Sequence, residues 1–152
     1  MMRLRVSVVR ERAPEWDTFR TGTVLKNGSD VAAYFEPVIR DLAVETFWAV
    51  HLDGRNRVQG IEVVSVGSMT ATLVHPREVF CAAIIRRTAS LVLAHNHPSG
   101  DPEPSSEDLS LTTRLHQVGE LVGIRVLDHV VLAPGLDAGR YRYVSLAERG
   151  AL

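Results

Sequence analysis

The segment that most restricts the fold is an unbroken apolar run, Ser90-Leu-Val-Leu-Ala94, that ends directly in His95-Asn96-His97 and then in Pro98-Ser-Gly-Asp-Pro-Glu-Pro104. Five residues without polar alternation suit a central strand covered on both faces. The stretch after it cannot be helical, because Pro98, Pro102 and Pro104 lack donors and fix φ. It must turn and lead the chain back. Ser105 then opens a helix to about Val122, which Gly123 ends.

The rest of the chain fits around that core. Residues 3–9 alternate as a strand, and residues 10–28 read as a connecting segment. Ser29 caps a helix from Asp30 to about Ala43, which Pro37 kinks or splits. Residues 45–52 and 57–66 form a hairpin across Asp53-Gly54-Arg55-Asn56. Gly67 to Thr72 is a loop or short strand. Pro76 starts a helix through Arg87, apolar at Val79, Phe80, Ala83 and Ile84. Residues 124–132 and Tyr141 to Ser145 complete the strands. Helices interleave with strands throughout, so the class is α/β with a mixed, partly antiparallel sheet flanked by helices. The expected division is residues 1–28 as N-terminal strand and connection, 29–146 as the domain, and 147–152 as a tail.

Composition narrows the function classes. A chain of 152 residues, 45% hydrophobic and 23% charged, is one ordinary globular domain. A formal charge of −1 gives no reason to expect nucleic acid or an anionic membrane as partner. Lys26 is the only lysine, which reflects codon usage better than any binding surface. A single cysteine, Cys81, excludes an internal disulfide and a cysteine-based zinc site. It is expected to be a buried small hydrophobe. The amino terminus lacks the apolar core of a signal peptide, and no run is long enough to span a membrane, so a cytoplasmic protein is expected.

The chemistry concentrates in residues 95–108. His95 and His97, two apart in extended backbone, point the same way. Asp108 falls in the first turn of the following helix and shares a face with Leu111, Thr112 and Leu115. That face packs on the sheet, which aims the carboxylate inward at the helix end nearest the histidines. Two imidazoles and a carboxylate are a ligand set for one catalytic zinc ion, with a fourth position left to water. Taken singly, each residue has a plainer explanation, since Ser105 and Asp108 also form a helix-capping pair. Capping accounts for neither histidine, and the joint pattern favours metal. Other zinc patterns fail: Val79 stands where an inverted His-x-x-Glu-His motif starting at His75 needs its second histidine, and a deaminase would need a second cysteine.

The spacing His95-x-His97, seven residues, Ser105, two residues, Asp108 resembles the JAMM motif of the MPN (JAB) metalloprotease superfamily. Within it, "VHPREVF" at 74–80, "LAHNHPSGDPEPSSED" at 93–108 and "GIRVLDHVV" at 123–131 are similar to the bacterial RadC family, over roughly residues 28–146. The resemblance implies an MPN/JAB, cytidine-deaminase-like architecture. It implies His95, His97 and Asp108 as zinc ligands, Ser105 as the serine that polarises the scissile carbonyl, and Glu45 as general acid/base. Glu62 and Glu78 are weaker candidates for the same role. An acid heading so apolar a strand as 46–52 also singles out Glu45.

The resemblance implies a zinc-dependent hydrolase that cuts a peptide or isopeptide amide in a peptide or protein substrate. Longer RadC-like proteins carry an N-terminal helix-hairpin-helix region, and the 28 or so residues before the match are too few for one. A DNA-associated role would rest on the family name and on arginines such as Arg86 and Arg87, which also suit a solvated helix end. A metal-holding module without turnover is the third reading. His129 is expected beside the pocket or bonded to a backbone carbonyl, His75 in the loop before its helix, and Asn96 and Ser99 as residues that shape the ligand loop.

Overall fold

The computed structural model describes residues 19–67, 74–135 and 141–152. The strand expected at residues 3–9 and most of the Gly67–Thr72 segment lie outside the described residues. Among those described, the order is α1 (Gly28–Ile39), β1 (Thr46–Leu52), β2 (Val58–Val66), α2 (Pro76–Arg86), β3 (Ser90–Asn96), α3 (Ser106–Val122), β4 (Arg125–Pro134) and β5 (Tyr141–Ser145). The strands form one sheet in the order β2-β1-β3-β4-β5. β1 runs antiparallel to β2 and β3, β3 parallel to β4, and β4 antiparallel to β5. The mixed α/β sheet expected from the sequence is the sheet observed.

Every residue of β1 and β3 is buried, because helices cover both faces. Strand alternation divides the side chains between two cores. Trp48, Val50, Leu52, Val92, Ala94, Val130 and Leu132 meet Val31, Ala32, Phe35 and Ile39 of α1. Phe47, Ala49, Leu91, Leu93 and Val126 meet Val79, Phe80 and Ala83 of α2 and Leu111 and Leu115 of α3. The result is three layers, each buried side chain of this size contributing roughly 1.5–3 kcal/mol before entropy is counted.

Three local expectations need correction. The cap of α1 is Asn27, not Ser29: Asn27 Oδ1 accepts from Asp30 N at 2.9 Å, and Asp30 Oδ2 accepts from Lys26 N at 2.9 Å. The helix runs through Pro37 and stops at Ile39 rather than Ala43, since a proline in the last turn removes a donor without a full helix to break. Cys81 is exposed, and Ile84 is 58% exposed. The buried stripe of α2 is Pro76, Val79, Phe80 and Ala83, which turns Cys81 and Ile84 outward.

The alternation also sets up the functional end of the sheet. β3 sends His95 toward α3 and Asn96 toward α1, one residue to each face. α3 is the crossover between parallel β3 and β4, so its N-terminus returns to the carboxyl end of β3, where α/β sheets commonly place their sites. On the β4 side the ladder continues past β3, with His97 N donating to Leu132 O at 2.7 Å. On the β1 side it stops at Phe47 and His95.

Candidate metal centre

Asp108 reaches the end of β3 because α3 is closed by a capping box. Ser105 Oγ accepts from Asp108 N at 3.1 Å, while Ser105 N donates to Asp108 Oδ2 at 2.7 Å. Capping and site geometry are therefore the same geometry. With the helix so fixed, Asp108 Oδ1 lies 3.4 Å from His95 Nε2 and Oδ2 lies 3.6 Å from His97 Nε2. The two imidazole Nε2 atoms are 2.9 Å apart. His95, His97 and Asp108 thus form a group able to hold a metal ion, each offering one ligand atom and all of them within 4.8 Å of one another.

The hydrogen bonds behind this group fix its protons. Thr112 Oγ1 donates its single proton to Asp108 O at 2.6 Å, so it must accept from His129 Nδ1. His129 Nε2 is then the acceptor for His95 Nδ1–H at 2.7 Å. His95 Nε2 is left with a lone pair facing Asp108 and His97. On the other side, His97 Nδ1 donates to Asp101 O at 2.8 Å, which leaves Nε2 facing inward as well. Both rings are oriented as metal-binding imidazoles are, by a donor bond from the far nitrogen.

Electrostatics follow the same arrangement. Burial pushes His95 down, against the opposing pull of Asp108, and pushes the fully enclosed His129 well down, so both rings stay neutral. His97 moves up, chiefly through the neighbouring Asp108 carboxylate, which favours a proton on the ring. Burial pushes the Asp108 carboxyl up, but the adjacent His95 and His97 rings and the Ser105 hydroxyl outweigh it and hold it well below the usual carboxylate range. Two lone pairs and an anion converge where only a cation or a proton can satisfy them.

Glu45 stands immediately before β1, half-buried, with its carbonyl accepting from Gly67 N at 2.8 Å. Its charge acts on both His95 and His97, raising each. Ser105 lies at the helix cap with its hydroxyl proton on Asp108 Oδ2 at 2.7 Å. Glu62 and Glu78 are elsewhere, lining a groove between β2 and α2 with Cys81 and Arg86. His75 caps α2, its Nδ1 accepting from Arg77 N at 3.2 Å. His129 falls behind His95 rather than beside an open pocket. Two contributors escaped the sequence reading: Thr112, known only as a face-mate of Asp108, and the Asp101 carbonyl.

The loop between the ligands is pinned from outside. Gly100, at φ +86°, donates to His97 O at 3.2 Å and closes the turn after Pro98. Arg142 donates to Gly100 O at 3.2 Å, and Arg149 pairs bidentately with Glu103 at 2.6 and 2.9 Å. The last pair is exposed to solvent, so it orients the loop more than it stabilises the fold.

A three-layer fold carrying a His-x-His and a helix-start aspartate at the sheet end defines a JAB-type domain, and comparison with known proteins agrees. Residues 25–151 match the family model described as the RadC-like JAB domain, and the chain belongs to that family. It is 48% identical over 130 residues to a UPF0758 protein of Moorella thermoacetica, covering 86% of this chain and 54% of that one. It is 47% identical over 119 residues to a UPF0758 protein of Pelobacter propionicus, covering 78% and 49%. With a UPF0758 protein of Methanosarcina acetivorans it shares 41% over 148 residues, 96% and 62% of the two chains. The chain thus spans about half the length of the curated relatives it matches. No helix among the described residues is long and apolar enough to cross a membrane.

Proposed function

We propose that this domain is a zinc-dependent metallohydrolase, a metallopeptidase or isopeptidase that hydrolyses an amide bond in a peptide or protein substrate. The observation that carries the reading is the convergence of the His95 and His97 Nε2 atoms and the Asp108 carboxylate on one point. Tetrahedral ligands about 2 Å from a zinc ion lie roughly 3.3 Å from one another, and the separations here are 2.9, 3.4 and 3.6 Å. The two Asp108 separations belong to different oxygens. With one ligand atom from each residue, all three lie within 4.8 Å of one another, close enough for a single ion once the carboxylate turns one oxygen to it. Zinc bound there would lower the pKa of a coordinated water to about 7 and polarise a carbonyl.

The residues divide the remaining work. Glu45, whose charge is felt at both histidines, takes a proton from the attacking water and returns it to the leaving amine. Water supplies one proton to the amine and a hydroxyl to the acyl carbon, so no oxidant or further cofactor is needed. Ser105 is placed to turn its O–H toward the carbonyl oxygen as negative charge develops there, once Asp108 Oδ2 is engaged by a cation. The balanced charge of the chain favours a polypeptide over nucleic acid as partner.

The test is to incubate the zinc-loaded domain and its Glu45→Gln form with a proteome-derived peptide pool and compare new amino termini. Termini are expected with the parent alone, while both forms bind zinc equally. Equal cleavage by Glu45→Gln would remove Glu45 from the mechanism, and no cleavage by the parent would remove peptidase activity from the isolated domain.

A further inference from the structure

The β1–β3 ladder ends at Phe47 and His95, yet the chain beyond it on the β1 side is held firmly. Asn96, fully buried between the two ligand histidines, reaches across in place of backbone. Its Oδ1 accepts from Thr46 N at 2.8 Å, and its Nδ2 donates to Val44 O at 3.0 Å. The donor and acceptor on the neighbouring chain leave the amide no other orientation. These two bonds bracket a single residue, Glu45. Asn96 therefore grips the peptide on either side of Glu45, which the β1–β3 register, continued past Phe47 and His95, sets opposite His97.

We propose that Asn96 is a positioning residue that fixes Glu45 against the metal ligands, so that the acid/base group and the ligand strand move as one body. Strand alternation makes this possible: His95 and His97 face α3, and the residue between them faces the other way, toward the chain that enters β1. The residues on one face hold the ion, and the residue on the other face holds the acid. The Asn96 amide answers both backbone groups at once, its oxygen accepting from Thr46 N and its NH2 donating to Val44 O. Gly67 N on Glu45 O, at 2.8 Å, supplies the third restraint on the same residue. The proposal rests on the role assigned to Glu45 above, and its test separates the two.

The clamp itself is read in the metal-free chain by amide hydrogen exchange. Asn96→Ala and the strand-compatible Asn96→Thr should speed exchange at Thr46 about tenfold, the effect of losing one buried bond, and leave Trp48 and Leu93 unchanged. Its consequence is read in the cobalt-loaded chain from the pH midpoint of the visible spectrum. Glu45→Gln should move that midpoint, each Asn96 variant should move it the same way, and Glu45→Gln combined with Asn96→Ala should move it no further than Glu45→Gln alone. Zinc affinity should stay at the parent value in all of them, which shows that each variant is folded. A midpoint unmoved by Glu45→Gln would overturn the role of Glu45 and this proposal with it. A midpoint moved by Glu45→Gln but not by the Asn96 variants, or additive shifts in the double variant, would overturn the proposal alone.

Discussion

His95 Nδ1 lies 2.7 Å from His129 Nε2, and that bond decides which nitrogen of His95 is left free to meet Asp108. His129 in turn takes its tautomer from Thr112, whose only proton is committed to a helix carbonyl. The state of a ligand on β3 is thus written by a hydroxyl on α3.

Thr112→Val keeps the shape and deletes that hydroxyl. His129 becomes free to protonate on Nε2, and His95 loses its acceptor. Zinc affinity, measured by competition with a chelator, is expected to fall about tenfold, the lower end of what supporting partners of metal ligands contribute. Affinity equal to the parent would show that the relay does not govern His95.

The acid limb of stability has a definite sign. His95 and His129 are held below the ordinary histidine value of 6.5, so the unfolded chain takes up protons below pH 6.5 that the native chain refuses. Stability of the metal-free chain must therefore fall as pH drops from 6.5. His97 is raised, so its contribution is present below 6.5 and is lost as pH climbs through its higher folded value. Thermal melting of the metal-free chain should peak near pH 6.5, and His129→Gln should flatten the acid limb. A melting temperature that holds or rises toward pH 5 would contradict this account.

Gly119, inside α3, reverses the usual effect of glycine in a helix. An exposed Gly→Ala change there would stabilise by about 1 kcal/mol. Here an added Cβ would sit 2.6 Å from Ile124 O and 3.4 Å from Val126 N, both backbone atoms that cannot step aside. Gly119→Ala is expected to destabilise by about 1–3 kcal/mol in urea unfolding. A gain in stability would mean that α3 is free to drift away from β4.

What could be read from the chain is what local chemistry dictates. The apolar run, the proline-rich turn and Ser105 followed by Asp108 define β3, the loop and the start of α3 within twenty residues, and all three stand where expected. Local sequence does not choose the α1 cap, because Asn27 and Ser29 are equally able caps two residues apart. Tertiary contact chooses between them: Gly28 sits against Ser145 and Tyr143 so tightly that a Cβ would come within 2.8 Å, and Gly28 N donates to Glu148. The apolar stretch around Cys81 does not reveal its exposure, because only one stripe of α2 meets the sheet. The partners of Asn96 and Thr112 lie far along the chain, and spacing carries no trace of them.

Asp108 closes the first turn of α3 and also faces the two histidines. Fraying of that turn and escape of a bound ion are consequently a single event, governed by how often the helix end opens. Residence time in the site is then a property of the cap as much as of the ligands. A change at Ser105 that never touches the ion shortens its stay.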